Sequence, residues 1–535
     1  MHKYVKRALS LAAVSLMAGS AMLMTACQGN NNVVINEPIS LPLEEKATMT
    51  WWLAWDNVYA PEYSTLADHP FFQWMEEQTN IHIDFVVPTA KGISDALSEY
   101  TSKIASGVLE DMVTHHWFVP ELSGSTLDSA VSDGLYTDLT EYVDVQMPNF
   151  KQMQQTYAVI NKGLYTPEGR IIYIPKLTGV EDNDKAPVTE GLVIRKDMLD
   201  ELQLDVPVTV DDWTNVLQKL KTQLGVQTPF NIGSMGLAPT VVGDAFITCY
   251  GQAFEMYINE DGKLSYGAIE EGTYRYAVMM HDWFQQELVG NTDISREDKL
   301  TDNYASWGGY VDEIVNLKNS NPQNPNYNLV AAPYPVLNEG DTLDLRSTYM
   351  PVGNKEINSI YVTQDCRNPA LACKWIDQFF TEEAFNRASY GVEGEDYTRN
   401  EDGTIQFTDK ILNDPDGARY GVERNCYLGS MWADRDVLVN YVYGQDAQDA
   451  IATWSNATSE RNMIRGTSLP MTAEESEAIA GLANFWMMQT GDIRGFITGE
   501  KPLTEWEDFV QRMQDGDIAQ YIEIYQTAWD RYNAS

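Results

Sequence analysis

The sequence is poor in basic residues, cysteine and histidine. It has 36 Lys and Arg against 78 Asp and Glu, which gives a formal net charge of −42. Binding to DNA or RNA needs a clustered positive surface, so nucleic acids are excluded as partners. Five cysteines in 535 residues are far too few for a disulfide-stabilised scaffold. Four of them (Cys249, Cys366, Cys373 and Cys426) allow three disulfide pairings, and free buried thiols are the favoured alternative.

The signatures of common enzyme classes are also missing. The chain has no Gly-rich phosphate loop, no Rossmann fingerprint and no Gly-x-Ser-x-Gly elbow. No cofactor or metal is predicted, because no His or Cys cluster has zinc spacing. The cluster Glu181–Asp184 lacks the Gly and the final Glu of an EF-hand loop, so solvated loop acids are preferred to a calcium site. With 78 acidic residues, a pair of carboxylates is no evidence for a glycosidase.

The chain has ample apolar material for packed cores. Hydrophobic residues make up 44% and aromatic residues 11%, with 14 Trp and 29 Tyr. This composition excludes global disorder. The length predicts about three ordinary domains or two large lobes.

The N-terminus carries a targeting signal. Lys3, Lys6 and Arg7 precede an apolar run, and Thr25-Ala26 precede Cys27. This arrangement resembles a bacterial lipoprotein signal, with residues 1–26 removed and Cys27 acylated with chains such as palmitate. Residues 27–46 lack periodicity and are predicted to be a tether. We therefore expect a body anchored to the outer face of the bacterial cell membrane.

Strand and helix patterns alternate from Thr48 onward. Thr48–Trp55 and Ile81–Val87 have strand patterns, whereas Phe71–Thr79 and Ser94–Ser106 have helical patterns. A second α/β section begins near Gly191. The alternation predicts an α/β fold with mostly parallel sheets.

Local motifs refine this prediction. Capping-box spacing predicts helix starts at three pairs, and Asp-Gly turns predict two hairpins. The pairs are Thr209 with Asp212, Thr472 with Glu475, and Thr504 with Glu507, and the turns are Asp261-Gly262 and Asp402-Gly403.

Several segments resemble the family 1 extracellular solute-binding proteins, which are carbohydrate-binding lipoproteins of bacterial ABC importers. They follow in the family's order over nearly the whole chain, with Glu110 where the family usually has Pro. The segments are Lys103–Gly107 with Asp111–Val113, Gly134–Thr140, Gly169–Pro175 with Leu192–Leu199 and Pro207–Thr209, Asn368–Ala370 with Tyr390–Tyr397, and Phe496–Leu503 with Trp506.

The resemblance implies an α/β, two-lobe periplasmic-binding-protein-like fold with a ligand cleft between the lobes and hinge crossings. The N-terminal lobe is expected to comprise residues 47–188 with 333–395, and the C-terminal lobe residues 189–332 with 396–535. The implied partners are an oligosaccharide and two ABC permease subunits, and the protein is expected to be a monomer.

A sugar-binding cleft needs flat aromatic faces and polar groups for the hydroxyl rim. Aromatic and polar residues occur together where predicted strands end, and Trp307 lies in a segment that resembles the family's sugar-stacking segment. The alternative for each Trp is packing in a core. The candidate ligand-binding residues are Trp307, Trp55, Asp56, Trp117, His115, Asp244 and Trp432.

The expected function is capture of a neutral oligosaccharide, without chemistry, for delivery to an ABC permease. The neutral ligand is expected because the acidic surface disfavours anionic glycans. Two alternatives stay open: a binding lipoprotein for another polar solute such as a peptide, and a surface enzyme acting on glycosides.

Overall fold

In the computed structural model, the described residues are 37–53, 63–88, 93–114, 126–177, 179–180, 189–233, 245–318, 320–321, 324–345, 358–457, 461, 464 and 469–534. The strands are β1 (Ala47–Leu53), β2 (Ile81–Val86), β3 (Met112–Thr114), β4 (Tyr173–Ile174), β5 (Glu190–Arg195), β6 (Thr228–Asn231), β7 (Met256–Ile258), β8 (Leu264–Tyr266), β9 (Val289–Gly290), β10 (Tyr304–Tyr310), β11 (Leu329–Ala332), β12 (Ile360–Val362), β13 (Tyr397–Arg399) and β14 (Ile405–Phe407).

The α-helices have the following bounds: Pro70–Thr79, Ile93–Ser106, Leu127–Ser132, Thr140–Gln146, Pro148–Thr156, Lys196–Glu201, Val210–Lys219, Glu271–Gln285, Arg296–Lys299, Val311–Lys318, Pro369–Ile376, Glu382–Tyr390, Asp409–Leu412, Ala418–Asn425, Gln445–Trp454, Ala473–Ala480, Phe485–Thr498, Trp506–Asp515 and Ile518–Ala534. None of the helices in the described residues is both long enough and apolar enough to span a membrane.

The first sheet has the strand order β2-β1-β3-β12-β4. Strands β2, β1 and β3 are parallel, and β12 runs antiparallel to both β3 and β4. Helices Pro70–Thr79 and Ile93–Ser106 connect the parallel strands, as crossover connections require. This sheet forms the centre of the N-terminal lobe.

The second sheet has the same pattern with different connections. Its order is β9-β6-β10-β5-β11, in which β9, β6 and β10 are parallel and β5 is antiparallel to both β10 and β11. Strand β6 therefore corresponds to β1, and β10 corresponds to β3. Two such sheets, each with its own helices, confirm the predicted α/β fold. The prediction of mostly parallel sheets is wrong, because β12 and β5 each run antiparallel to both of their neighbours.

Hydrophobic packing assigns the chain to the lobes differently from the predicted boundaries. Tyr334 and Leu343 pack in the core of the C-terminal lobe, so the chain leaves that lobe after them rather than near residue 333. Tyr427 and Met431 pack in the core of the N-terminal lobe, although residues 396–535 were expected in the C-terminal lobe. The reason is non-local packing: the Tyr427 ring stacks on Phe71 at 5.5 Å between ring centres.

A third, smaller cluster lies between these two cores along the chain. It contains the β13–β14 hairpin and helix Ala418–Asn425. Val437 is the last residue of this cluster, and Val439 already packs in the core of the C-terminal lobe. The passage between them leads directly into a π-helical turn, Val439–Tyr443.

Part of the predicted tether is fixed to the N-terminal lobe. The backbone N–H of Leu43 donates to the carbonyl of Thr79 at 3.0 Å. The backbone N–H of Ile39 donates to Gln146 Oε1 at 2.9 Å, and Gln146 Nε2 donates to the Glu37 carbonyl at 3.0 Å. At least residues 37–43 of the predicted tether therefore belong to the folded body, while Cys27 and the signal segment lie outside the described residues.

Local motifs were predicted with mixed success. The capping boxes at Thr209 and Thr472 are confirmed. Both Asp-Gly hairpins are also confirmed, as β7–β8 and β13–β14. The box at Thr504 is wrong, because Leu503–Glu505 form a 3₁₀ turn and Glu505 precedes the helix without a side-chain cap. Cys249, Cys366, Cys373 and Cys426 are free thiols.

Candidate ligand-binding site

Two predicted site segments follow neighbouring strands at the carboxyl edge of the first sheet. Strand β1 ends at Leu53 and β3 ends at Thr114, and these two residues are paired in the parallel register. In open α/β sheets, ligands bind beyond the carboxyl ends of such strands. Trp55, Asp56, His115 and Trp117 follow these strand ends closely, and all four lie outside the described residues. The last described residues before the two segments are therefore neighbours in the sheet.

The second sheet has a corresponding edge. Asn231 ends β6 and pairs with Trp307 of β10 on one side and with Gly290 of β9 on the other. Its side chain is 4% exposed, and its Nδ2 donates to the Thr292 carbonyl at 3.1 Å. Asp244 lies in the segment that follows β6, outside the described residues. A ligand role for Asp244 therefore stays a prediction.

Trp307 is buried inside the C-terminal lobe. Its side chain is 1% exposed, and its Nε1 donates to Glu313 Oε2 at 3.1 Å. The Lys299 ammonium lies 5.6 Å from the ring centre and forms an ion pair with Glu313. Gly309 leaves room for this contact, because a Cβ there would approach Glu313 Oε2 to 2.6 Å and Trp307 Nε1 to 3.1 Å. The stacking role predicted for Trp307 would require its ring to become uncovered.

Tyr310, three residues later, has the exposure that a stacking residue needs. It is the last residue of β10, and its side chain is 56% exposed. It pairs with Glu190 in the antiparallel register with β5, so the two side chains are cross-strand neighbours on one face of the sheet. The Glu190 carboxylate is the main cause that raises the pKa of Tyr310 to about 12, so the phenol stays protonated. An aromatic ring with a held hydroxyl can contact both the apolar face and the hydroxyl rim of a sugar.

An ion pair next to Tyr310 connects separate packing clusters. Asp312 opens helix Val311–Lys318, and its Oδ2 accepts from Arg419 Nη1 at 3.3 Å. Arg419 lies on helix Ala418–Asn425, where its Nε also donates to Glu423 Oε1 at 2.8 Å. The backbone of that helix is bound to the N-terminal lobe, since His69 Nε2 lies 3.3 Å from the Glu423 carbonyl. Arg419 and Asp312 therefore link the two lobes beside the exposed tyrosine.

Trp432 packs against the N-terminal lobe. Its ring lies 4.5 Å from that of Phe385, and its backbone forms a bridge with Leu177. The ring is half-buried beside the first hydrophobic core. A ligand role for Trp432 stays a prediction.

The described residues bring no three His, Cys, Asp or Glu side chains together as metal ligands. Glu181–Asp184, the segment considered for calcium, lies outside the described residues.

Sequence reasoning missed Tyr310, although the signal was present. Along β10, Ala305, Trp307 and Gly309 are buried, whereas Tyr310 is exposed. Alternate strand residues point to opposite faces, so the two aromatic residues three positions apart cannot share a face. Ser306 is buried on the face that Tyr310 shares, so alternation separates the two aromatic residues, and only the end of the strand marks Tyr310 as exposed.

Comparisons with known proteins agree with this architecture. A family model described as "Bacterial extracellular solute-binding protein" matches residues 59–384. The fructooligosaccharide ABC transporter substrate-binding protein FusA of Streptococcus pneumoniae is 22% identical over 577 aligned positions, covering 97% of this chain and 98% of FusA.

Two solved structures illustrate the shared fold. The FusA EF-hand mutant in complex with fructo-nystose has a TM-score of 0.68 at 18% identity, covering 91% of this chain and 99% of that chain. The alginate-binding protein AlgQ2 without calcium ion has a TM-score of 0.67 at 16% identity, with the same coverage.

Proposed function

The chain belongs to the bacterial extracellular solute-binding proteins, and from this premise we propose that it captures an oligosaccharide outside the cell and delivers it to an ABC transporter permease. The single observation that carries the choice of ligand is Tyr310, an exposed aromatic residue paired across the strands with an acid at the carboxyl edge of a sheet. Protein sites use this combination of a flat apolar face and a fixed polar group for amphipathic ligands such as sugars.

The similar proteins support the same ligand class. FusA is named for fructooligosaccharides and AlgQ2 for alginate. The first ligand is a neutral carbohydrate and the second is a polymer of uronic acids. Membership in the family therefore favours a carbohydrate but leaves the charge of the carbohydrate open.

We assign the ligand-facing residues to the carboxyl edges of both sheets. Trp55, Asp56, His115 and Trp117 belong to the first edge, and Asp244 belongs to the second. Tyr310 takes the stacking place in the second lobe that the sequence assigned to Trp307. The lobes close around the ligand by a hinge motion, as two-lobe binding proteins do.

The rest of the proposal concerns location and partners. The mature protein is a monomer acylated at Cys27 and held at the outer face of the cell membrane. It binds its ligand without chemical change and passes it to two permease subunits. The absence of nucleotide-binding motifs in this chain fits a division of labour with a separate ATPase.

The test is a thermal-shift screen with product analysis. The mature chain, with Cys27→Ser to prevent acylation, is melted with a panel of neutral and acidic oligosaccharides and of peptides. A ligand at one hundred times its Kd adds about 2.7 kcal/mol to the stability of the folded state, which raises the midpoint by several degrees. A shift with an uncut sugar is expected. Cleavage of the sugar would indicate an enzyme, and a shift with peptides alone would indicate another solute.

A matched pair of variants tests the site. Tyr310→Ala is expected to weaken binding of the identified sugar about tenfold or more, since stacked aromatic contacts contribute about 1 kcal/mol beyond buried area. Tyr165→Ala is the control, because Tyr165 is also an exposed tyrosine, at 38% exposure, in the N-terminal lobe. Equal affinities of the two variants, measured by calorimetry, would contradict the assignment of Tyr310.

A further inference from the structure

Tyr310 has an electrostatic environment of one sign. The charged groups of the described residues that most strongly raise the pKa of its hydroxyl are carboxylates: Glu190 first, then Glu313 and Asp312. Two neighbours of Tyr310 are acidic. Glu190 pairs with it across the strands, and Asp312 follows it by two positions in the chain. A ligand that lies on the Tyr310 ring would meet this negative potential.

The nearby cations do not offset these acids, because each is already engaged by carboxylates. Lys299 forms an ion pair with Glu313 at 2.5 Å. Arg419 is shared between Asp312 and Glu423, and its side chain is 29% exposed. Four acids thus surround two bases in this part of the described chain. A sugar carboxylate would have to compete with fixed protein carboxylates for both cations.

From these contacts we infer that Glu190 is a specificity-determining residue that makes the Tyr310 subsite select neutral sugars and reject uronic acids. This inference rests on the proposed function, and it goes beyond it by naming the ligand charge and the residue that sets it. Like-charge contact disfavours the wrong partner more than opposite-charge contact strengthens the right one. The acceptor oxygens of Glu190 serve neutral sugars in a second way, because a carboxylate can accept hydrogen bonds from sugar hydroxyls.

The experiment compares two probes of similar size, the neutral fructan nystose and the acidic trigalacturonate, on the wild type and on Glu190→Gln. Glutamine keeps the length of the side chain and one acceptor oxygen, and it replaces the charged carboxylate with a neutral amide. We expect trigalacturonate affinity to rise about tenfold in E190Q, while nystose affinity changes less than about threefold. The control is Glu383→Gln, which makes the same change in net charge at a 60% exposed side chain of the N-terminal lobe.

Salt gives an independent readout. Tyr310 is more than half exposed, so repulsion of an anionic ligand is screened by ions. In the wild type, trigalacturonate binding should therefore strengthen between low and high ionic strength, and this trend should weaken in E190Q. The affinity for nystose should not depend on ionic strength in either protein.

The outcomes separate the two proposals. If the wild type binds trigalacturonate as well as it binds neutral oligosaccharides, or if E190Q leaves their ratio unchanged, the inference is wrong and the proposed function stands. If a neutral fructan other than nystose is the better ligand, it replaces nystose in the same comparison. If no sugar of either class binds, the proposed function fails and the inference fails with it.

Discussion

The two five-stranded sheets share one pattern of parallel and antiparallel strands, but their described strands carry different candidate residues at the edge where ligands bind. In the first sheet the candidates His115 and Trp117 follow β3, Met112–Thr114, and lie outside the described residues. In the second sheet the corresponding strand β10 has seven residues and ends in Tyr310. The candidates that we assign to the N-terminal lobe therefore stay predictions. The C-terminal lobe presents Tyr310 from the strand itself, with its position set by backbone pairing.

The comparison extends to the buried aromatic residues. Trp51 and Trp52 of β1 are 2% and 0% exposed, and Trp307 of β10 is 1% exposed. In both sheets a tryptophan inside a strand packs in the core. This holds even for Trp307, whose segment resembles the family's sugar-stacking segment. An aromatic residue becomes available to a ligand only where the strand ends or the segment leaves the sheet.

The largest expected effect separates Trp307 from Tyr310. Trp307→Ala removes a buried ring and leaves Glu313 without its indole donor, so we expect a loss of about 3–5 kcal/mol in the free energy of unfolding. Tyr310→Ala should cost less than about 1 kcal/mol, because the ring is 56% exposed. Urea unfolding of both variants checks the prediction. A stable Trp307→Ala protein with weakened sugar binding would instead restore Trp307 as the stacking residue.

Local structure was largely predictable because short-range patterns determine it. The helix predicted over Phe71–Thr79 begins one residue earlier, at Pro70, and the strand predicted over Ile81–Val87 ends one residue earlier, at Val86. The capping box at Thr209 formed as its spacing predicts, since both hydrogen bonds join residues three apart. These features depend on neighbours in sequence, and tertiary contacts reinforce them.

The lobe boundaries and the choice of Tyr310 were not predictable in the same way. Tyr427 joins the N-terminal core through Phe71 and Phe72, residues far away in the sequence. No local pattern marks the change from one packing cluster to the next after Val437. Val437 and Val439 are both apolar and buried, although they belong to different clusters. The carboxylates around Tyr310 come from β5 and from the helix after β10, so only the strand register brings Glu190 to it.

The next largest expected effect is a pH dependence of stability, which depends on the buried titratable groups of the two cores. In the N-terminal lobe the fully buried Asp377 accepts from the backbone N–H of Phe150 at 3.0 Å and from Asn149 Nδ2 at 2.9 Å, and burial raises its pKa to about 6. In the C-terminal lobe the buried Arg195 is paired with Asp197 and stays charged. The two cores should therefore differ in their response to pH.

Asp377 binds its proton more tightly in the folded state than in the unfolded chain, where the pKa of Asp is about 3.9. Its contribution to stability is fully present below pH 3.9 and is lost as pH rises through about 6, a loss of about 2–3 kcal/mol. Asp377→Asn should remove this pH dependence, because asparagine does not titrate. The new side chain can be accommodated, since Asn149 can present its amide oxygen to the new amide. Urea midpoints between pH 4 and pH 7 check it. A profile unchanged by D377N would assign the dependence to other groups.

The smallest expected effect concerns the link between the lobes. Arg419 and Asp312 are both about one-third exposed, so their 3.3 Å contact should contribute only about 0.2–1 kcal/mol. If the pair forms as the lobes close on ligand, that energy appears in the affinity rather than in the stability of either lobe. The measurement is a double-mutant cycle with Arg419→Gln and Asp312→Asn, in which sugar affinity is determined at low and high salt.

If the coupling changes affinity two- to fivefold at low salt and fades at high salt, the ion pair belongs to the closed state. A coupling of the same size in urea unfolding without ligand would instead make the pair a permanent bridge. The comparison of the two sheets then acquires a mechanical meaning. The edge built from the strand end would carry both the stacking residue and the contact that reports closure, while the opposite edge would supply the side chains that the closing lobe brings to the sugar.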